Sequence, residues 1–170
     1  MAESLIERKR FAAAAEHFQE MLRLNPDDNQ GVRYSLVNVL ITLDRDAEAW
    51  ELLARYPEDR LALLEYPRAL LRFREEGDTL EARWALKQAV RANRFVPGIL
   101  LHTLLHTRAI AGEDGYFSLG QEDEATFYLV LSQGTWDSTE GALDWLRKRT
   151  ALPVRPKKKG KTKKGKKKRR

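Results

Sequence analysis

Ala14, Ala49 and Ala82 stand 35 and 33 residues apart, and four positions after each comes a large apolar residue: Phe18, Leu53 and Leu86. A mean period of 34 is the length of one helix–turn–helix unit. The small residue lets two helices approach closely. The large one lies on the same helix face and fills the gap to a neighbour. A unit built this way cannot bury its apolar face alone, so units must stack.

The segments between these markers read as helices. Residues 3–24 are rich in Ala, Leu, Glu and Arg, all strong helix formers. Their apolar positions Phe11, Ala14, Ala15, Phe18, Met21 and Leu22 recur at spacings of three and four. Asn25-Pro26 ends that helix, because a proline disfavours helical geometry in the residue before it. Further helices are expected over 29–43, 46–55, 59–75 and 79–93, with Pro67 kinking or breaking the fourth. Polar turns are expected at Lys9-Arg10, Asp44-Arg45 and Gly77-Asp78. No segment alternates apolar and polar residues long enough to read as a strand.

The segment from Arg10-Phe11-Ala12-Ala13-Ala14-Ala15-Glu16-His17-Phe18 through Leu24-Asn25-Pro26 resembles the tetratricopeptide repeat family. The unit beginning Asp44-Arg45-Asp46-Ala47-Glu48-Ala49-Trp50 is similar. The third lacks the terminal proline, with Arg94 in its place. The resemblance covers residues 1–97 and implies an all-α, right-handed solenoid of about three helix–turn–helix repeats. Few residues precede Lys9, so the first unit is expected to be truncated.

Residues 98–152 are expected to form C-terminal capping helices. A short apolar helix over 98–106 should pack on the last repeat, followed by a loop over 107–120. The acids Glu122, Asp123 and Glu124 suit the start of the next helix, and Gly134 its end. Asp137 with Glu140 reads as the start of the last one, which closes on Arg147-Lys148-Arg149.

Net charge divides the chain. The whole carries 31 Lys and Arg against 25 Asp and Glu, a net of +6. Residues 155–170 hold 12 of the basic residues and no acid, which leaves residues 1–154 at −6. Residues 153–170 are therefore expected to be a disordered basic tail. Its Lys157, Lys158, Lys159, Lys161, Lys163, Lys164, Lys166, Lys167, Lys168, Arg169 and Arg170 are candidates for binding a polyanion such as RNA or DNA backbone, or ribosomes. The tail has no aromatic residue, so base stacking is not expected.

Catalytic patterns are missing. There is no Cys, which excludes thiol chemistry, disulfides and Cys-based zinc sites. His102 and His106 have metal-ligand spacing, but Thr103, Leu104 and Leu105 between them supply no acid, so no metal site is expected. Glu75-Glu76 and the Glu122–Glu124 run read as solvated helix ends, not a catalytic pair. No nucleophile elbow or phosphate loop is present. The expectation is a non-enzymatic protein without cofactor. No apolar run reaches membrane-span length and no signal-peptide pattern opens the chain, so a soluble, cytoplasmic protein is expected, or a nuclear one where the tail serves as an import signal.

The resemblance implies a function. In this family the first helix of each unit lines a concave groove that takes a peptide or partner helix. The matching positions are Tyr34, Ser35, Asn38 and Thr42 in the second unit, and Arg68 and Arg74 in the third. Such a set suits an extended acidic peptide, since Arg pairs bidentately with carboxylates. The basic clamp of chaperone-tail binders is incomplete, because Tyr34 stands where that clamp has Lys.

Overall fold

The computed structural model describes residues 2–101, 117–132 and 134–150, with the backbone alone for residues 2–9. Among the described residues there are helices and no strand. They are α1 (Ala2–Leu24), α2 (Val32–Thr42), α3 (Asp46–Ala54), α4 (Ala62–Glu76), α5 (Leu80–Ala92), α6 (Val96–Leu101), α7 (Glu122–Leu131), α8 (Thr135–Ser138) and α9 (Ala142–Thr150).

Local chemistry explains most boundaries. Asp28 accepts hydrogen bonds from the N–H groups of Val32 and Arg33 at 2.7 and 3.1 Å, which satisfies the open first turn of α2. Thr79 does the same for α5, accepting from the Ala82 N–H at 3.2 Å. The turn expected at Lys9-Arg10 does not exist, because α1 runs unbroken through it. Glu7, Arg8, Lys9 and Arg10 all favour helix, and no Gly or Pro interrupts them.

Pro67 neither breaks nor ends α4. An interior proline costs about 3 kcal/mol. Leu63, Leu64, Leu70 and Leu71 are all fully buried on the same helix, and each contributes about 1.5–3 kcal/mol. Burial therefore outweighs the lost hydrogen bond.

α4 is the central element. It packs on α2, α3, α5 and α7. The pairs α2–α3 and α4–α5 form the second and third units, and α1 packs on α2 as the second helix of the first. Ala49 and Ala82 are fully buried at the close approaches. In the first unit the buried small residue is Ala15, not Ala14, so the first spacing becomes 34.

The C-terminal helices do more than close one end. α7 reaches both α2 and α4, and α8 reaches α2. Tyr66 of α4 lies against Tyr128 and Trp136, with ring centroids 5.4 and 6.3 Å away. α6 begins at Val96 with Pro97 in its first turn, a favoured place for proline, so a division at residue 97 falls inside a helix. The expected start of the last helix at Asp137 is corrected: Asp137 belongs to α8. Gly141, at φ 75°, separates α8 from α9, which begins at Ala142. Gly134 precedes α8 in the left-handed region, while Ser132 closes α7.

Candidate functional site

The six expected groove residues lie on α2 and α4, and the structure does not gather them at one cleft. Asn38 is 1% exposed and donates through Nδ2 to the Tyr34 carbonyl at 2.9 Å. Thr42 Oγ1 donates to the Asn38 carbonyl at 2.9 Å. Tyr34 donates its hydroxyl to Asp59 at 2.9 Å, under the Arg33 guanidinium, which lies 4.2 Å from its ring centre. Burial, then the adjacent Asp59 carboxylate, raises the Tyr34 pKa well above the ordinary phenol value.

The two arginines serve the chain's own backbone, Arg68 in the connection between α3 and α4 and Arg74 at the end of α2. Arg68 donates to the carbonyls of Asp59 at 2.9 Å and Tyr56 at 2.8 Å, and to the Glu65 carboxylate at 3.0 Å. Arg74 donates to the Ile41 carbonyl at 3.0 Å and pairs with Asp44 at 2.8 Å and Asp46 at 2.9 Å. Helix ends leave carbonyls without partners, and a guanidinium with five N–H groups can take several at once. The charge of both residues is already engaged within the chain.

Tyr34 and Ser35 do share a cleft of about 480 Å³. Phe18 and Met21 of α1 form one wall, and Phe117 with Phe127 and Leu131 of α7 another. Phe117 stacks on Phe127 with centroids 5.3 Å apart. The cleft is therefore mixed: an apolar side from α1 and α7 faces a polar side that carries Asp28, Asn29, Gln30 and Arg33 beside Tyr34 and Ser35. Its α7 wall was not legible beforehand, since nothing local in Phe127 or Leu131 says that α7 returns to α2.

A second cleft, about 580 Å³, opens on the side of the second helices. Trp50 of α3 and Leu80 and Trp84 of α5 line it together with Arg60, Arg68 and Arg72. The repeat register does not mark this pair, since in the alignment of Ala49 with Ala82 the position that matches Trp50 is Arg83.

Among the described residues no group of three His, Asp or Glu side chains is placed to hold a metal. No described helix is long and apolar enough to cross a membrane. His102, His106 and the basic residues 157–170 lie outside the described residues.

A family model described as tetratricopeptide repeat matches residues 5–69, a span from α1 into α4. No curated protein and no solved structure matches the chain.

Proposed function

We propose that this chain is a non-enzymatic scaffold docking a peptide or helix of another protein, because residues 5–69 match the tetratricopeptide repeat model and repeats of that family mediate protein–protein interaction. The observation that carries this reading is the cleft beside Tyr34 and Ser35, apolar on one side and polar on the other. The first helices α2 and α4 are partly covered by the chain's own α7 and α8. Among the described residues a cleft lies at the end between α1, α2 and α7, where Phe18, Met21, Phe127 and Leu131 form its apolar side. A partner's large apolar side chain fits there, with the Ser35 hydroxyl on the rim as a hydrogen-bond partner. Ser35→Arg tests it by filling the cleft with a long charged side chain. Proteins captured by the wild-type chain and identified by mass spectrometry should be lost with the variant. An identical set of captured proteins removes this cleft from the interface.

Charge partition favours a second activity on the same chain. Residues 155–170 carry 12 cations beside a body of −6. A run of this kind binds polyanions by releasing counterions, with affinity falling steeply in salt. A chain ending at residue 154 should lose RNA and DNA retention at low salt. Equal retention by both chains would sink this reading.

A further inference from the structure

The second helices of the three units are not equally covered. Ala49 and Ala82 are fully buried, and Leu53 and Leu86, four positions later, are 3% and 2% exposed. Their equivalents in α1, Ala14 and Phe18, are both partly exposed. The difference lies in the neighbours. α3 and α5 each pack on the first helix of their own unit, α2 and α4. Among the described residues α1 packs chiefly on α2, the first helix of the next unit. With a neighbour on that side alone, the best-buried alanine moves one position round, to Ala15. Ala14, Phe18 and Met21 therefore border a place where, among the described residues, no first helix lies.

α1 is also longer than its unit needs. α3 begins three residues before Ala49, and α5 two before Ala82. On the same offset α1 would begin at Phe11 or Ala12, yet it begins at Ala2. The repeat assigns the residues ahead of Phe11 to the end of a first helix, folded back across a turn at Lys9-Arg10. That turn is absent, and residues 2–10 run straight on for about 14 Å. A hairpin opened into one continuous helix is the geometry of segment exchange, because an element that does not fold back on its own chain can do so on another copy. Ala2, Leu5 and Ile6, at spacings of three and four, give the extension an apolar stripe.

We propose that two copies of this chain pair through α1, each laying residues 2–10 in the open first-helix place of the other. A two-fold axis runs the second α1 antiparallel to the first, which is the direction a first helix takes against its second. Residues 12–15 are all Ala and let the two axes approach closely where the helices cross. A crossing there brings Leu5 and Ile6 of the second copy to Phe18 and Met21. Both copies use the same surface, so the pair closes at two. The basic tail is the wrong occupant, since residues 155–170 hold no large apolar side chain. Phe18 and Met21 also belong to the partner cleft. A dimer therefore covers that cleft, and a docking protein displaces the second copy; this last step rests on the scaffold reading above.

The test follows the full chain by sedimentation over a range of concentrations. The wild type should pass from monomer to dimer, and Ile6→Glu should weaken pairing about tenfold or more. The core begins at Ala15, so this variant should still unfold in one cooperative step. The chain has no Cys, so introduced cysteines report the contact without interference. Ile6→Cys mixed with Met21→Cys under a mild oxidant should give mainly the mixed disulfide, since an antiparallel pair sets position 6 against position 21. Proteins captured through the partner cleft should increase with Ile6→Glu. A wild type that stays monomeric overturns the proposal and leaves the place to a helix of another protein. A dimer that Ile6→Glu leaves intact, or disulfides formed mainly between like chains, overturns it as well. The scaffold reading survives each of these results if Ser35→Arg still loses its captured proteins. Equal capture by Ile6→Glu and the wild type overturns the covering of the cleft alone.

Discussion

Polar side chains on α2 and α4 serve the backbone before they serve any partner. Arg68 holds carbonyls of the connection between α3 and α4, Arg74 holds one in the last turn of α2, and Asn38 and Thr42 bond to the turn behind them. A sequence shows which residues can donate, but not which carbonyls lack a donor. That depends on where helices stop and which neighbour's side chain arrives there. Gly31 makes a related point at a single position. Its φ is 67°, and a Cβ there would meet the Tyr34 ring at 3.1 Å. Gly31→Ala combines left-handed strain with crowding of a ring already fixed by Arg33 and Asp59. It should lower stability by about 1–2 kcal/mol, measured by urea unfolding. An unchanged midpoint would mean that the turn before α2 relaxes freely.

α9 shows how an element is docked by one turn residue. Asp78, between α4 and α5, accepts from Arg83 Nε and Trp145 Nε1, both at 2.8 Å, and from Arg149. Phe73 stacks on Trp145 with centroids 4.6 Å apart. Arg149, in the last turn of α9, thus crosses to the turn between α4 and α5. Hydrogen bonds from Arg149, then Arg83, hold the Asp78 carboxyl well below the usual carboxylate range. A carboxyl held low in the folded state adds stability above its unfolded value of 3.8 and loses it only as pH falls through the lower folded value. Docking of α9 should therefore be constant from neutral pH to about 4 and weaken below it, as followed by Trp fluorescence. Asp78→Ala should speed amide exchange in α9 at neutral pH while the centre of α4 stays protected. Equal protection of α9 in both proteins would show that the apolar contacts of Trp145 suffice.

At the scale of the whole molecule, one buried carboxylate joins the repeats to the C-terminal helices. Glu124 is fully buried and accepts from the Ala62 N–H at 3.2 Å, Asn93 Nδ2 at 2.9 Å and the Gly120 N–H at 2.6 Å. It thereby caps α4 from a helix 62 residues away in sequence. The aromatic group of Tyr66, Tyr128 and Trp136 lies over the same junction, with Trp136 Nε1 donating to the Tyr128 hydroxyl at 2.9 Å. Glu124→Ala leaves three donors without their partner and should cost about 2–5 kcal/mol. Thermal unfolding should remain a single transition at a lower midpoint, because the core is continuous from Ala15 to Leu146. Two separated transitions would instead show that repeats and C-terminal helices fold independently.

The helices, most of their ends and the repeat period belong to the sequence alone. They follow from local causes: apolar spacing of three and four, Asp28 and Thr79 as caps, Gly77 and Gly141 as breaks. The tertiary structure alone decided that α7 and α8 cover part of α2 and α4, which carbonyls Arg68 and Arg74 answer, and that a cleft opens between Trp50 and Trp84. Helix formation is written in neighbours a few positions apart. Partnerships such as Glu124 with Ala62, or Arg149 with Asp78, exist only once packing has brought distant segments within hydrogen-bond range.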